Sequence, residues 1–447
     1  MTDTLERLTE SLLRAARQAG ADAADAMAVE GQSVSIDIRA GKLEQAERAE
    51  GLELGLRVLV GQRQACVSVS DRSDRTITEM AERAVAMARE APEDPYAGLA
   101  ASDQLIRNWD IAALELADPA ADPDAAQLEA DAREAESGAM TRAGITQVEA
   151  SASHARRQVH LAASNGFAGG YARTSRSVSA VAFTGNGTGM ERDWAAEGRI
   201  HSADLPEASG VGALAAERAL ARAGARRPRT GSFPVLYDER IASSLIGHLL
   251  SAVNGATVAR GSGWLRDALG QQVLPAGFTV IEDPLRPRVS GSRPFDAEGL
   301  ATARRLIVAD GVLQGWTLDL ATARKLGMSS TASAARGTSS PPSPATSNID
   351  LTPGGQSRAD LIAAMGTGLL VTGLIGSTIN PNTGDYSRGA SGFWVEGGEI
   401  AYPVNECTIA GNLRQMLLRI TAADDARAHL STRVPSLLVE GMTLAGA

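Results

Sequence analysis

Hydrophobic and polar residues recur with different periods along the chain and divide it into three units. In the first unit, leucines recur every three or four residues from Leu5, which is typical of an amphipathic helix. Period-two alternation follows, which is typical of half-buried strands, and Ser73 or Asp74 is placed to cap a second helix. The predicted elements are a helix over 5–27, strands over 34–38, 52–60 and 65–70, and a helix over 77–88.

The second unit combines an acidic helix with a strand meander. Ser164-Asn165-Gly166 indicates a tight hairpin turn, because Asn and Gly tolerate positive φ. The predicted elements are a helix over 124–137, strands over 147–153, 158–163 and 171–183, and a helix over 212–223.

The third unit opens with a short strand over 235–237 and a helix over 239–253. Asp310-Gly311 and Gly397-Gly398 each separate two apolar runs, which predicts two tight hairpins. Between them, residues 329–356 are rich in Ser, Thr, Pro and Gly and indicate a long loop, of the kind that is usually functional or disordered.

One uncharged stretch, residues 361–384, is long enough to raise the question of a membrane span. Gly and Thr residues dilute its hydrophobicity, and aromatic and basic flanks are missing, so we expect a helix followed by a buried strand or loop. The fold class is therefore α+β. It comprises a helix-flanked N-terminal β domain (1–115), a β-rich middle domain with an acidic helix and a β meander (116–230), and a large C-terminal domain of mixed or antiparallel β-structure with helices (231–447).

The charge balance argues against nucleic acid as a partner. Lys and Arg number 43 against 53 Asp and Glu, which gives a net charge of −10. This balance offers a phosphate backbone no overall attraction, although a local basic patch at residues 222–229 stays open. Two cysteines suit a reducing compartment, and the N-terminal residues lack the pattern of a signal peptide. We expect a cytoplasmic protein without a membrane segment.

The residues that carry common catalytic chemistry are scattered. The five histidines are His154, His160, His201, His248 and His429, and none has the spacing of a zinc-binding pair. Cys66 and Cys407 lie in predicted strands, where a free cysteine packs as a small hydrophobic residue. Nucleophile-elbow and nucleotide-loop patterns are absent, although a triad assembled from distant residues stays open.

Glycine-rich strands beside a long polar loop can bind an extended peptide as an additional strand, or be covered by a partner subunit. Both interpretations are compatible with the third unit.

Short segments in the third unit resemble the TldD/PmbA (TldD/TldE) family, historically called modulator of DNA gyrase. The matching segments are Asn254-Gly255, Gly261-Ser262-Gly263-Trp264-Leu265, Asp310-Gly311, Ala323-Arg324-Lys325-Leu326-Gly327, the run 347–354, Ser391-Gly392-Phe393-Trp394-Val395-Glu396-Gly397-Gly398-Glu399-Ile400, Pro403-Val404 and Thr408-Ile409-Ala410-Gly411-Asn412. The pattern Gly51-x-x-x-Gly55-x-Arg57 resembles the first domain of that family.

The family that this chain resembles has two branches, which differ in their zinc-binding residues. TldD-type members carry His-Glu-x-x-x-His on the helix of the third unit, and the aligned positions here are Ile246, Gly247 and Ser251, within a residue or two. None of these can bind zinc or act as a general base. A cysteine is also absent from residues 419–447, so the chain resembles the PmbA/TldE branch.

Membership of that branch implies a TldD–TldE zinc metalloprotease complex that acts on extended or unfolded peptides. A TldD-like partner would supply the zinc, and this chain, without a cofactor or catalytic residues of its own, would support substrate binding and assembly; a homodimer stays open. We predict peptide contacts at Asn348, Arg388 and Ser391, against the alternatives that Asn348 caps a turn and Arg388 is a solvated charge. Alternative functions are a non-proteolytic interaction protein of the gyrase-modulator type and a stand-alone hydrolase.

Overall fold

The computed structural model describes residues 2–446 and places one six-stranded antiparallel sheet in the N-terminal half. Its strand order is β3-β2-β1-β4-β5-β6, so strands predicted for the first and second units lie in the same sheet. The elements of this half are α1 (Thr2–Ala19), β1 (Ala23–Arg39), β2 (Lys42–Val60), β3 (Arg63–Val69), α2 (Asp74–Glu90), α3 (Ala125–Met140), β4 (Ile145–Ala163), β5 (Ala168–Thr184), β6 (Glu191–Arg199) and α4 (Ala208–Ala221). The junction is the β1–β4 pairing, which runs from Asp25 opposite Ala163 to Arg39 opposite Glu149.

All four helices cover one face of this sheet. α1 and α2 bury the side of the sheet that carries Ala24, Ala26 and Ala28, and α3 and α4 bury the adjacent region. A Cβ at Gly212 would collide with the Ala135 carbonyl, so α3 and α4 approach at backbone distance. The abundant alanine and glycine of the sequence thus allow close packing with few aromatic residues.

The helix predicted over 5–27 is too long. α1 ends at Ala19, Gly20 adopts a φ of +96°, and the chain returns as β1 from Ala23. Alanines 24, 26 and 28 are buried by the period-two pattern of a strand, because pairing with β2 and β4 outweighs the helix propensity of alanine. The two strands predicted over 147–153 and 158–163 are likewise one continuous strand, β4.

The C-terminal half is built around a closed barrel. The elements are β7 (Gly231–Tyr237), α5 (Glu239–Ala252), α6 (Gly255–Ala259), β8 (Val280–Glu282), β9 (Arg305–Ala309), β10 (Val312–Leu313), α7 (Leu320–Leu326), β11 (Ala334–Ala335), β12 (Ser343–Pro344), β13 (Ile349–Leu351), α8 (Arg358–Met365), β14 (Gly368–Ile379), β15 (Asp385–Glu396), β16 (Glu399–Asn412), α9 (Leu413–Leu417), β17 (Ile420–Ala422), β18 (Thr432–Arg433) and β19 (Leu437–Ala445). Strands β7, β14, β15 and β16 pair in that order, and β19 pairs with both β16 and β7, which closes the ring. Only β7 and β14 are parallel within the ring.

The barrel confirms the interpretation of the uncharged stretch over 361–384. Its first residues end α8, and the following residues form β14, which is paired on both sides. Among residues 2–446, no helix is long and apolar enough to cross a membrane. Both predicted hairpins are also confirmed, at Asp310-Gly311 between β9 and β10 and at Gly397-Gly398 between β15 and β16. The stretch 329–356 contains three short strands, β11 to β13, rather than one continuous loop.

The loop between β11 and β12 connects the two halves. It lies on the face of the N-terminal sheet opposite the helices, where Arg336 forms an ion pair with Asp25. A Cβ at Gly55 would collide with the Thr338 carbonyl, so glycine is required for this close approach. Part of the segment predicted as an open polar loop is therefore packed between the two halves.

Candidate functional site

The helix α5 lies where the resemblance implies a zinc motif in TldD-type proteins. Asp238 caps its N-terminus, and Leu245, Ile246 and Leu249 face the core. Of the three aligned positions, Ile246 is fully buried in that core, Gly247 has no side chain and Ser251 is exposed.

These residues do not fit a zinc ion, because they supply neither imidazole, thiolate nor carboxylate. His248 is the histidine of this helix, and the described residues contain no group of three or more His, Cys, Asp or Glu that could hold a metal.

His248 instead borders a cluster of two tyrosines. The hydroxyl of Tyr237, at the end of β7, donates to the hydroxyl of Tyr386 on β15 over 3.3 Å. The ring of His248 packs edge-on against Tyr386, with centroids 5.9 Å apart. The His248 Nε2 atom is buried and has no hydrogen-bond partner among residues 2–446.

Arg388 lies beside this cluster on β15. Its Nε donates to the carbonyl of Gly376 over 2.7 Å, and its side chain is half-buried. Burial, with a smaller contribution from the Arg388 charge, lowers the pKa of His248. Burial also raises the pKa of Tyr386, and it raises that of Tyr237 well above its usual value. The cluster thus combines neutral hydroxyl and imidazole groups with one cation.

Ser391 belongs to a different environment. It is buried, and its Oγ accepts a hydrogen bond from Arg222 of the middle region over 3.3 Å. Arg222 also approaches Glu191 and Asp193, and Asp193 pairs with Arg240 of α5 over 3.1 Å. Ser391 therefore takes part in the polar contact between the barrel and the middle region, and its predicted contact with a peptide stays a prediction.

Asn348 is completely buried. Its Nδ2 donates to the Asp283 carbonyl over 2.8 Å and to the Ser292 hydroxyl over 2.7 Å. These bonds fix the segment that leads into β13. A contribution of Asn348 to peptide binding, which remains a prediction, would therefore act through the position of this segment.

Cys407 has the surroundings of a structural cysteine. It is buried in β16, its thiol donates to the Ala390 carbonyl over 3.2 Å, and burial raises its pKa to about 11. A thiol with so high a pKa is a poor nucleophile at neutral pH. Cys66, on β3, is half-buried and also has a raised pKa.

The sequence indicated Arg388 as a peptide contact, which stays a prediction, but it did not indicate the neighbouring tyrosines. Tyr237 and Tyr386 are separated by 149 residues, and only closure of the barrel brings them together. The one local signal was His248, a histidine within an apolar helix without an acidic neighbour.

Three family models match successive parts of this chain. They describe the PmbA/TldA metallopeptidase domain 1, which matches residues 24–88, the central domain, which matches 118–223, and the C-terminal domain, which matches 230–446.

Relatives match the chain over nearly its whole length. This chain is 37% identical to metalloprotease PmbA of Escherichia coli over 429 residues. The matched region covers 95% of this chain and 92% of that protein. A solved structure from Bacteroides thetaiotaomicron, described as a candidate modulator of DNA gyrase, matches with a TM-score of 0.91 and 26% identity over 99% of this chain and 98% of the other. TldE of Thermococcus kodakarensis shares the fold with a TM-score of 0.84 at 18% identity, over 98% of this chain and 100% of the other.

Proposed function

The chain belongs to the PmbA/TldD family of metallopeptidases, and from this membership we propose that it is the subunit without a zinc centre in a two-chain zinc metallopeptidase. In this proposal, a TldD-like partner holds the zinc ion and cleaves extended or unfolded peptides. This chain completes the enzyme and helps to hold the substrate.

The observation that carries the proposal is the composition of α5. By the resemblance, Ile246, Gly247 and Ser251 align, within a residue or two, with the His, Glu and His of the TldD-type motif, and Ile246 is part of the barrel core. Zinc ligands at these positions would have to replace a buried apolar residue of the core. They would also have to introduce imidazole, thiolate or carboxylate groups, which Ile246, Gly247 and Ser251 lack. The remaining His248 faces a tyrosine ring rather than a carboxylate.

A supporting role in substrate binding is consistent with the surroundings of Arg388. Its guanidinium donates to the Gly376 carbonyl at Nε and also hydrogen-bonds to Tyr386, and its remaining N–H groups can pair with a carboxylate of a peptide. Holding a peptide in an extended form contributes to catalysis because correct positioning removes part of the entropic barrier. The zinc chemistry itself belongs to the partner in this proposal.

Reconstitution tests the proposed division of labour. The full-length chain, a TldD-like chain from the same genome and their mixture are compared for zinc content, mass in solution and hydrolysis of an unfolded polypeptide. We expect a stable complex whose zinc is lost when the histidines of the partner are replaced, and whose peptidase activity exceeds that of either chain alone.

Two results would overturn the proposal. Peptidase activity of this chain alone would favour a stand-alone hydrolase. Failure of the two chains to associate, together with no effect on the activity of the partner, would favour a non-proteolytic interaction protein.

A further inference from the structure

One edge of the N-terminal sheet is open along part of β5. β6 pairs with β5 only from Arg176 to Thr184, so the first residues of β5 have a strand neighbour on one side alone. Among the described residues, the linker before α3 makes one backbone hydrogen bond to this edge, from the Thr174 N–H to the Leu116 carbonyl over 3.0 Å. Trp109 and Ile111 of the linker pack against Gly169 and Tyr171 through their side chains and add no backbone bond.

Main-chain groups on this side of β5 before Thr174 have no backbone partner in the described chain. Backbone groups of an antiparallel strand point alternately to its two sides, so Gly170 and Ala172 direct their N–H and C=O toward the same side as Thr174. In the described chain, no backbone hydrogen bond reaches Gly170 or Ala172 from that side. Both residues are half-buried, so part of the surface of each is exposed to solvent.

A cavity of about 580 Å³ occupies the space between this edge and the linker. Its volume lies within the usual range for ligand sites, roughly 300–1,000 Å³. Leu5 of α1 and Tyr171 line it from the two sides of the sheet, and Ile111 and Leu116 of the linker form the opposite wall. The lining is therefore mainly apolar and surrounds the unpaired backbone groups of Gly170 and Ala172.

The charged groups of the cavity are already compensated. Arg288 forms ion pairs with Glu115 and with Asp204, the latter at 3.1 Å. By contrast, the Oε1 atom of Gln158, a lining residue, is buried and accepts no hydrogen bond within residues 2–446. The site thus offers hydrogen-bond donors and acceptors and apolar surface, and its Arg288 and Glu115 charges are paired.

We propose that this cavity binds an extended, uncharged peptide segment, which adds to the edge of β5 as a further strand. Its main chain pairs with Gly170 and Ala172, at the spacing of about 4.8 Å that neighbouring strands adopt. An apolar side chain of the peptide fills the space beside Leu5 or Tyr171. A compact apolar ligand would leave the alternating donors and acceptors of β5 unpaired, which argues for a peptide.

This inference goes beyond the proposed function, because the site lies on the middle region and needs neither zinc nor a partner. Direct binding to the full-length chain tests it. The probe is a fluorescent, end-blocked hexapeptide of Val, Thr and Leu, measured by anisotropy, and we expect saturable binding.

Two variants and one matched control localise the binding. Ala172→Pro removes one outward N–H while leaving the β4 ladder intact, since proline is tolerated at a strand edge. Ala112→Trp fills the cavity from the linker, whereas Ala113→Trp alters an equally exposed neighbour that does not line it. We expect Ala172→Pro and Ala112→Trp each to weaken binding by about tenfold or more, and Ala113→Trp to leave it unchanged.

Peptide analogues identify the binding mode. Two hexapeptides carry N-methyl groups on alternate amides, in the two possible phases. A peptide that pairs with one strand edge tolerates one phase and loses binding in the other. Absence of binding, equal binding by both analogues and the parent, or binding that neither Ala112→Trp nor Ala172→Pro affects would each overturn the proposal.

Discussion

Arg57 and Asp25 form a buried ion pair across neighbouring strands of the N-terminal sheet. The Nε and Nη2 atoms of Arg57 both contact Oδ2 of Asp25, at 2.6 and 2.5 Å, and each side chain is only 4% exposed. The other carboxylate oxygen faces Arg336 from the C-terminal half. One carboxylate therefore compensates two buried guanidinium groups from different halves of the chain, which links the Gly51-x-x-x-Gly55-x-Arg57 motif to contact between the halves.

Replacement of this carboxylate should destabilise the protein strongly. In Asp25→Ala, Arg57 and Arg336 remain buried and lose the carboxylate that pairs with both, and we expect the free energy of unfolding to fall by about 3–5 kcal/mol. Glu50→Ala is the matched control, because Glu50 pairs with Arg48 on the surface and its loss should cost less than about 1 kcal/mol. Urea denaturation measures both, and equal midpoints for the two variants would contradict a structural role for Asp25.

The two glycines of the same motif should differ in their tolerance of a methyl group. A Cβ at Gly55 collides with the Thr338 backbone, whereas a Cβ at Gly51 meets no atom of the described residues within 4 Å. We expect Gly55→Ala to lower stability by about 1–3 kcal/mol and to increase proteolytic cleavage within residues 336–342. Gly51→Ala should leave the cleavage pattern of the parent protein unchanged. Cleavage that responds equally to both substitutions would show that the loop does not rest on Gly55.

Stability should depend on pH through Glu298, which is buried near Asp296. Burial, reinforced by the charge of Asp296, raises the pKa of Glu298 from 4.5 to about 8. The folded state therefore holds a proton that the unfolded state releases, so its stabilising effect is complete below about pH 4.5 and is lost as the pH rises through about 8. The shift corresponds to an upper limit of about 5 kcal/mol.

Glu298→Gln isolates this effect, because glutamine can still accept the Leu320 N–H bond without ionising. We expect the stability of the variant relative to the parent to increase between pH 5 and pH 8 in urea titrations. The exposed Glu79→Gln should follow the parent at every pH. A constant difference between Glu298→Gln and the parent would show that Glu298 titrates normally.

Local sequence signals predicted the elements whose geometry is decided locally. Gly397-Gly398 determines a hairpin turn by itself, and α2 is capped by Ser73, one of the two residues predicted for that position. Pairing of distant residues carries no such signal. Ala23 to Met27 suits a helix or a strand equally well until β2 and β4 flank it.

The candidate site shows the same limit. Arg388 could be selected as a charged residue beside small ones, but its proximity to Tyr386 and His248 follows from closure of the barrel. The free edge of β5 was also hidden, because it depends on where β6 begins to pair and on the path of the linker. Asn348 resembled an adaptable polar loop residue, and only its burial distinguishes it from one.

Asn348 and Arg388 should consequently affect different properties of the protein. Asn348→Ala removes two buried hydrogen bonds, to Asp283 and Ser292, and should lower the free energy of unfolding by about 2–3 kcal/mol. Arg388→Ala removes one bond to a carbonyl and one to Tyr386 from a half-buried position, so we expect a loss of stability of about 1 kcal/mol. Denaturation of the isolated chain measures both effects.

Peptide hydrolysis by the reconstituted complex supplies the second measurement. If Arg388 pairs with a peptide carboxylate, Arg388→Ala should raise KM for an acidic peptide by about fivefold to tenfold and change KM for a neutral one little. Arg388→Lys should restore part of the affinity, because lysine keeps the charge but not the planar geometry. If Asn348 acts through the position of its segment, Asn348→Ala, assayed at a temperature where the complex stays folded, should raise KM for acidic and neutral peptides alike. An equal rise in KM for acidic and neutral peptides in Arg388→Ala would show that its charge does not select the substrate.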